Sequence, residues 1–163
     1  MTPTDATPTD GATPTDKERA DLAACGDPRI HTFGVVLEAM SRLGRLLDRS
    51  MREATGLSTT LFEGLLRLER SGGEMSMGTL TDQVALTSGG ATRLVDKLAA
   101  AGYVARRQCT EDRRVQYVAI TPEGRDVLGR SIEVHLRDLD DYFTGHMTET
   151  ERQTLVTVFE RFR

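Results

Sequence analysis

The sequence predicts a mainly α-helical protein with one small β-hairpin, in the order four helices, hairpin, two helices. Three observations lead to this class. Only one proline, Pro122, follows Pro28, so the body contains few helix breakers. Apolar residues recur at three- and four-residue steps through most of the body. The period changes once, between Tyr103 and Ile120, where β-branched and aromatic residues gather.

Length and composition exclude several classes of protein. The 163 residues favour one domain with a tail. No apolar run approaches the length of a membrane helix, and no basic patch precedes an apolar stretch, so we expect a cytoplasmic protein with no membrane contact. Two cysteines cannot form a disulfide framework. The net charge of −4 excludes a uniformly basic nucleic-acid binder but permits a local basic face.

The first 16 residues repeat the unit Thr-Pro-Thr-Asp three times, starting at Thr2, Thr7 and Thr13. Such a segment buries too little apolar surface to offset the entropy lost on ordering. We therefore predict a disordered acidic tail over residues 1–28. It serves either as a partner-binding or anti-aggregation segment or, as we favour, as a solvated leader without a role.

The first helix is predicted from Ile30 to Ala54, with Gly56 after its end. Its apolar stripe is long for a small domain, and one intramolecular core cannot easily cover it. A partner helix is therefore implied.

Three shorter helices are predicted next, each from a capping residue at its start and from an apolar pattern or a glycine that ends it. Ser58 caps the second helix, which ends at Gly72-Gly73; Ser76 caps the third, which carries Leu80 and Val84; Thr87 or Ser88 caps the fourth, which ends at Gly102.

The hairpin pairs Tyr103–Arg107 with Val115–Ile120 through a polar loop. Thr121-Pro122-Glu123 then starts a helix, because Thr is a cap, Pro suits the first turn and an acid suits the helix dipole. We expect this helix to reach Met147. Thr148-Glu149-Thr150-Glu151 is a capping box before a last helix that presents Leu155 to Phe162.

The third and fourth helices, joined by a tight turn at residues 85–87, describe a helix-turn-helix. Small residues begin the second of them, which lets its backbone approach DNA closely, and Arg93 can contact phosphate or guanine. The alternative is a helical hairpin whose glycines only permit close packing. The distribution of charge favours the DNA-binding interpretation. Residues 87–117 carry six basic and three acidic side chains, whereas residues 131–151 carry one basic and six acidic side chains.

These segments resemble the winged helix-turn-helix regulators of the MarR type (multiple antibiotic resistance regulator), over about Ile30 to Arg163. The resemblance is sharpest in four segments, Thr92 to Leu98, Gly102 to Arg107, Asp112-Arg113-Arg114 and Ile120 to Gly124. It implies a homodimer built from the first and last helices, with a recognition helix in the major groove. It also implies a wing arginine in the minor groove, Arg114 by its position in the Asp-x-Arg pattern.

The resemblance divides the chain into the tail, a helical dimerisation region at residues 29–57 and 122–163, and a winged helix-turn-helix DNA-binding domain at residues 58–121. The predicted DNA-binding residues of the recognition helix are Thr87, Ser88, Gly89, Gly90, Thr92, Arg93 and Lys97. Those of the wing are Arg106, Arg107, Asp112, Arg113 and Arg114, with Asp112 bracing the wing and Arg113 meeting the DNA backbone.

The resemblance implies a transcriptional regulator, with a repressor favoured over an activator. It would bind a pseudo-palindromic operator and release it on binding a small molecule. No cofactor is expected. The family's ligand cleft lies between the dimer helices and the winged-helix lobe, here walled by helices at 30–54, 58–71 and 122–147. Phe33, Met40 and Met51 suit a pocket, but their spacing is more typical of core residues.

Other functions rest on weaker signals. A thiol switch has a candidate in Cys109, beside two arginines that would lower the pKa of its thiol, while Cys25 lies in the leader and no cysteine lies in the first helix. A metal sensor would need His31, His135 and His146, which lack ligand spacing. No catalytic motif is present, so we do not expect an enzyme. A helical adaptor that never touches DNA is the remaining alternative.

Overall fold

The computed structural model describes residues 25–83, 88–108 and 115–162. Within these ranges the α-helices are α1 (Pro28–Thr55), α2 (Thr59–Arg70), α3 (Met77–Gln83), α4 (Ser88–Ala100), α5 (Pro122–Tyr142) and α6 (Glu149–Phe159). The strands are β1 (Glu74–Ser76), β2 (Val104–Gln108) and β3 (Gln116–Ile120). Short 3-10 turns, Thr144–His146 and Glu160–Phe162, follow α5 and α6. The predicted fold class, mainly helical with a small sheet, is confirmed.

The chain divides by internal packing into two units, residues 1–41 and 42–163. In the first unit, the described part of α1 exposes its large apolar side chains, among them Ile30, Phe33 and Leu37. The second unit holds the core described below. The domain boundaries predicted from the sequence are not tested by this division and stay predictions. No described helix is long and apolar enough to cross a membrane.

The second unit has a core contributed by five helices and all three strands. Its fully buried members are Met51, Leu65, Leu68, Leu80, Val95, Leu98 and Val118. Most of them are aliphatic, as the low aromatic content of the sequence requires. This core holds α4 and the sheet in one packed body.

The N-terminus of α2 is capped twice. The Ser58 hydroxyl accepts a hydrogen bond from the Leu61 backbone N–H, as the sequence predicts. Asp48 Oδ1, from α1, accepts the Thr59 backbone N–H at 2.9 Å and the Thr59 hydroxyl at 3.1 Å. Arg52 donates to the same carboxylate at 2.6 Å, and this hydrogen bond together with those from Thr59 holds the pKa of Asp48 below its usual value. Asp48 thus ties α1 to the start of α2.

The predicted antiparallel pairing of the two hairpin strands is confirmed as β2 and β3, and β1, which was not predicted, adds to β3 to make a three-stranded sheet of order β1-β3-β2. β1 follows the Gly72-Gly73 turn, where both glycines have positive φ angles that other residues rarely adopt. It pairs with the far strand of the hairpin, Met75 opposite Val118. Three residues are too few to show an alternating pattern, so the sequence carries no local signal for β1.

The start of α5 is confirmed and its end is not. Thr121 Oγ1 accepts the Gly124 backbone N–H at 3.0 Å and donates to the Gly102 carbonyl at 2.7 Å, which ties the helix start to the turn before β2. The helix ends at Tyr142 rather than near Met147, because Phe143 leaves helical geometry and the Thr144 hydroxyl bonds the Leu139 carbonyl. The capping box of Thr148 and Glu151 is confirmed.

Candidate nucleic-acid interface

Helices α3 and α4 are the two helices of the predicted helix-turn-helix. Ser76 Oγ accepts the Thr79 backbone N–H at 3.1 Å, which confirms the predicted cap of α3. Both helices pack on each other and on α2. Val84, the turn at 85–87 and the predicted DNA contact Thr87 lie outside the described residues, and Ser88 begins α4 without a described side chain.

Helix α4 is divided into two faces. One face is buried in the core and consists of Ala91, Leu94, Val95 and Leu98. The other face is exposed and presents Thr92, Arg93, Asp96 and Lys97. Among the described carboxylates, none lies within ion-pair distance of Arg93 or Lys97. The helix therefore offers two cations to solvent on the face opposite its anchor.

A glycine on α2 allows α4 to lie close. A side chain at Gly64 would come within 2.8 Å of Leu94 Cδ2, so the absence of one lets Leu94 pack directly against the α2 backbone. A side chain at Gly89 would meet no atom of the described residues within 4 Å, so among them the first turn of α4 has open space. The two glycines thus act differently, since one permits internal packing and the other leaves an open surface.

Arg106, predicted to be a wing contact, makes an ion pair with α4. Its Nη2 lies 2.6 Å from Asp96 Oδ1, and the arginine side chain is 32% exposed. The two residues are ten positions apart and belong to different elements, β2 and α4. This ion pair links α4 to β2.

Arg107, the next residue, is held by a carboxylate from β1. Its Nη2 lies 2.8 Å from Glu74 Oε2 and its Nε lies 3.1 Å from Oε1 of the same side chain. Its guanidinium carbon also lies 5.3 Å from the centre of the Tyr117 ring, within cation–π range. Since Tyr117 is on β3, this contact set spans all three strands.

The structure therefore places Gly89, Gly90, Thr92, Arg93 and Lys97 on α4 and brings Arg106 of β2 against the same helix, whereas Arg107 lies on the other face of the sheet. The other predicted wing residues, Asp112, Arg113 and Arg114, lie outside the described residues. Sequence reasoning missed Glu74 and Asp96 as partners of the two arginines. The available signal was the presence of an acid, Asp96, within a basic segment.

The residues weighed for other functions are placed as follows. Cys109 lies outside the described residues, and Cys25 is exposed. The ring of His135 packs on Phe62 at 5.0 Å, and His146 Nε2 lies 2.9 Å from the Asp141 carbonyl. No group of three His, Cys, Asp or Glu side chains suited to a metal ion occurs in the described ranges.

Of the three residues suited to a pocket, only Met51 lies in the core, as its spacing favours. Phe33 and Met40, in the first unit, are exposed instead, because the described residues there supply no core to cover them.

The comparison with protein families identifies the segment that holds this site. Residues 57–115 match the model of the MarR family. An HTH-type transcriptional regulator of Bacillus subtilis, YdgJ, is 28% identical over 128 residues, which cover 78% of this chain and 77% of that protein.

Solved structures share the fold. Sco3205, a MarR family transcriptional regulator from Streptomyces coelicolor in complex with DNA, has a TM-score of 0.75 at 21% identity and covers 95% of this chain and 91% of its own. The organohalide sensing RdhR-CbdbA1625 transcriptional regulator, in its 2,4-dichlorophenol bound form, has a TM-score of 0.76 at 17% identity and covers 93% and 85%.

The family match and the named relatives indicate a transcriptional regulator rather than an enzyme. The winged helix-turn-helix geometry agrees with them. The chain thus carries, at residues 57–115, a segment that matches the MarR family, and it is similar in fold to solved transcriptional regulators of that family.

Proposed function

We propose that this protein is a homodimeric repressor that binds a pseudo-palindromic operator and releases it when a small molecule binds. The observation that carries the proposal is the exposed face of α4, where Arg93 and Lys97 stand opposite an apolar face anchored in the core. A recognition helix needs this division, because one face must be fixed while the other reads base edges and phosphates.

Local charge supports DNA as the partner. The chain carries a net charge of −4, yet the segment from α4 through the hairpin is basic. Phosphate binding through counterion release needs such a local surface and not a basic whole. By the family resemblance, we assign Arg114 to the minor groove, Arg113 to the backbone and Asp112 to bracing the wing.

Exposed apolar side chains support a homodimer. In the first unit, Phe33 is 68% exposed and Leu37 56% exposed; in the second, Phe162 is 81% exposed. Large exposed apolar side chains on a helix mark interaction sites, and the resemblance assigns the first and last helices to the dimer. The solution mass tests this: Phe33→Asp should lower the dimer fraction in sedimentation, while Glu38→Gln on the same helix should not.

Deletion of residues 1–20 should leave dimer and DNA binding nearly intact, and a monomer after this deletion would contradict the role given to the tail.

Buried polar groups on α5 support a small-molecule effector. Within the described residues, Ser131 Oγ, His135 Nδ1 and Asp138 Oδ2 are buried without a hydrogen-bond partner. Buried polar atoms are nearly always bonded, so these three atoms suit a polar ligand or water. The solved regulator bound to 2,4-dichlorophenol makes phenols the first probes. Ser131→Ala should weaken release of DNA by an active phenolic acid without changing DNA affinity, and Glu133→Gln should change neither.

The DNA-binding test begins with a duplex selected from random DNA. Arg114→Ala should cost about 1–3 kcal/mol of binding free energy and relax the preference for A·T at the wing position. Arg93→Ala should weaken binding at the recognition helix. Arg130→Ala, which removes an exposed cation from α5, is the matched control. Binding that does not weaken between about 50 and 200 mM salt would instead indicate an apolar adaptor interface.

A further inference from the structure

An acidic side chain stands on the DNA-facing side of the recognition helix. Asp96 is exposed on α4 between the two cations Arg93 and Lys97. A carboxylate at this place repels phosphate, so its presence weakens nonspecific binding. A group with this disadvantage calls for a role other than contact with DNA.

Asp96 is engaged by Arg106 rather than by its neighbours on α4. The distance of 2.6 Å from Arg106 Nη2 to Asp96 Oδ1 is that of a charge-assisted hydrogen bond. Asp96 is 53% exposed and Arg106 is 32% exposed, so the bridge lies at the rim of the interface between α4 and β2.

The register of the sheet explains why Arg106 is the less exposed partner. Arg106 pairs with Val118, and Val104 pairs with Ile120. Val104, Val118 and Ile120 are buried, and alternate residues of a strand share a face, so Arg106 lies on the face that the helices cover. The aliphatic part of the Arg106 side chain is therefore directed toward α4, just outside the buried residues of that face.

We infer that Asp96 and Arg106 are a positioning pair, whose ion pair fixes the recognition helix against the wing so that both meet the duplex at one set angle. Arg106 acts through Asp96 and does not bind phosphate. The inference rests on the proposed DNA-binding function. Arg107 is held in the same manner on the opposite face of the sheet, by Glu74 and Tyr117.

The two possible roles of Arg106 predict opposite effects of Asp96→Asn. If Arg106 binds phosphate, loss of the competing carboxylate frees it, and DNA binding tightens. If the pair positions α4, the same change misaligns the helix, and binding to the chosen sequence weakens. Exposed ion pairs contribute little to stability, so the variants should fold with nearly the parent's Tm.

The experiment uses the full chain and two duplexes, one selected from random DNA and a scrambled one of equal length and composition. Dissociation constants are measured between about 50 and 200 mM salt for Asp96→Asn, Arg106→Gln and the double variant. Arg130→Gln, which removes an equal charge from an exposed ion pair, is the control. Arg93→Gln is the comparison for loss of a DNA-contacting cation.

Each single variant should bind the selected duplex more weakly, on the order of tenfold, with no loss on the scrambled duplex. The double variant should lose no more than either single one, because the two residues act as a unit. Arg106→Gln should keep the parent's salt slope. Tighter binding by Asp96→Asn to both duplexes, or a salt slope reduced in Arg106→Gln by about 0.9 per contact, would overturn the inference.

Hydrogen exchange separates this inference from the proposed function. In Asp96→Asn and Arg106→Gln, the amides of β2 and of the last turn of α4 should exchange faster than in the parent and in Arg130→Gln. If the parent binds no duplex, the proposed function fails and exchange alone judges the pair. Unchanged exchange in both variants would show that the pair holds nothing in place.

Discussion

The winged helix-turn-helix segment and the N-terminal half of α1 use apolar residues in opposite ways. In the former, Leu65, Leu80 and Val118 are fully buried in one core. In the latter, Phe33 and Leu37 follow the same three- and four-residue spacing but are exposed. The comparison teaches that apolar spacing specifies a helix and its apolar face, whereas what covers that face depends on the rest of the molecule or on a partner.

The largest effect should come from removing a core side chain and comparing it with an exposed one. Leu65→Ala should lower the free energy of unfolding by about 2–5 kcal/mol at every protein concentration, since it opens a cavity. Leu37→Ala should act only through association, so its effect in urea unfolding should depend on protein concentration. If both variants lost the same free energy of unfolding at every protein concentration, the distinction between a core residue and an association residue would be wrong.

Gly124 tests the close packing of the second unit. A side chain there would overlap the Tyr103 carbonyl oxygen, which cannot move without disturbing the start of β2. Gly124→Ala should destabilise the protein by about 1–3 kcal/mol in chemical unfolding.

Gly129, on the same helix, is the matched control, because a side chain there would meet none of the described atoms within 4 Å. Gly129→Ala should stabilise α5 by about 0.5–1 kcal/mol, because alanine loses less backbone entropy in a helix. If both substitutions changed the free energy of unfolding in the same direction, the contact between α5 and the turn before β2 would not be the cause of the destabilisation at Gly124.

An effect of similarly small size concerns Asp48, which joins α1 to α2. The hydrogen bond from Arg52, with those from Thr59, lowers the pKa of this carboxyl in the folded state. Its contribution to stability is therefore present above the unfolded value of about 3.9 and is lost as pH falls through the folded pKa. Asp48→Asn should cost about 1 kcal/mol at neutral pH, and the difference should shrink in acid. A difference constant from neutral pH to pH 3, measured by urea unfolding, would contradict this cause.

The features that the sequence predicts well are local ones. Ser58, Thr121 and Thr148 each cap a helix through atoms within three residues, so the amino-acid pattern alone identifies them. Gly102, with a φ of 78°, follows the end of α4 and terminates it in the same local manner.

The features that the sequence did not predict depend on distant contacts. β1 exists because Met75 pairs with Val118, and no pattern within three residues encodes that partner. The end of α5 depends on the bonds of Thr144, which compete with an apolar pattern that continues to Met147. In the candidate site, the exposed cations of α4 were predicted, but the carboxylates that hold Arg106 and Arg107 were not, because Glu74 lies 33 residues from its partner.

The strand order also bears on how the protein avoids self-assembly through its sheet. Among the described strands, β3 is central, while β1 and β2 are the borders. Open borders can recruit strands from other molecules and start aggregation, and short length or adjacent charge hinders this. β1 has only three residues, and β2 carries two consecutive arginines. The two arginines that pair with Asp96 and Glu74 thus also discourage another strand from adding to β2.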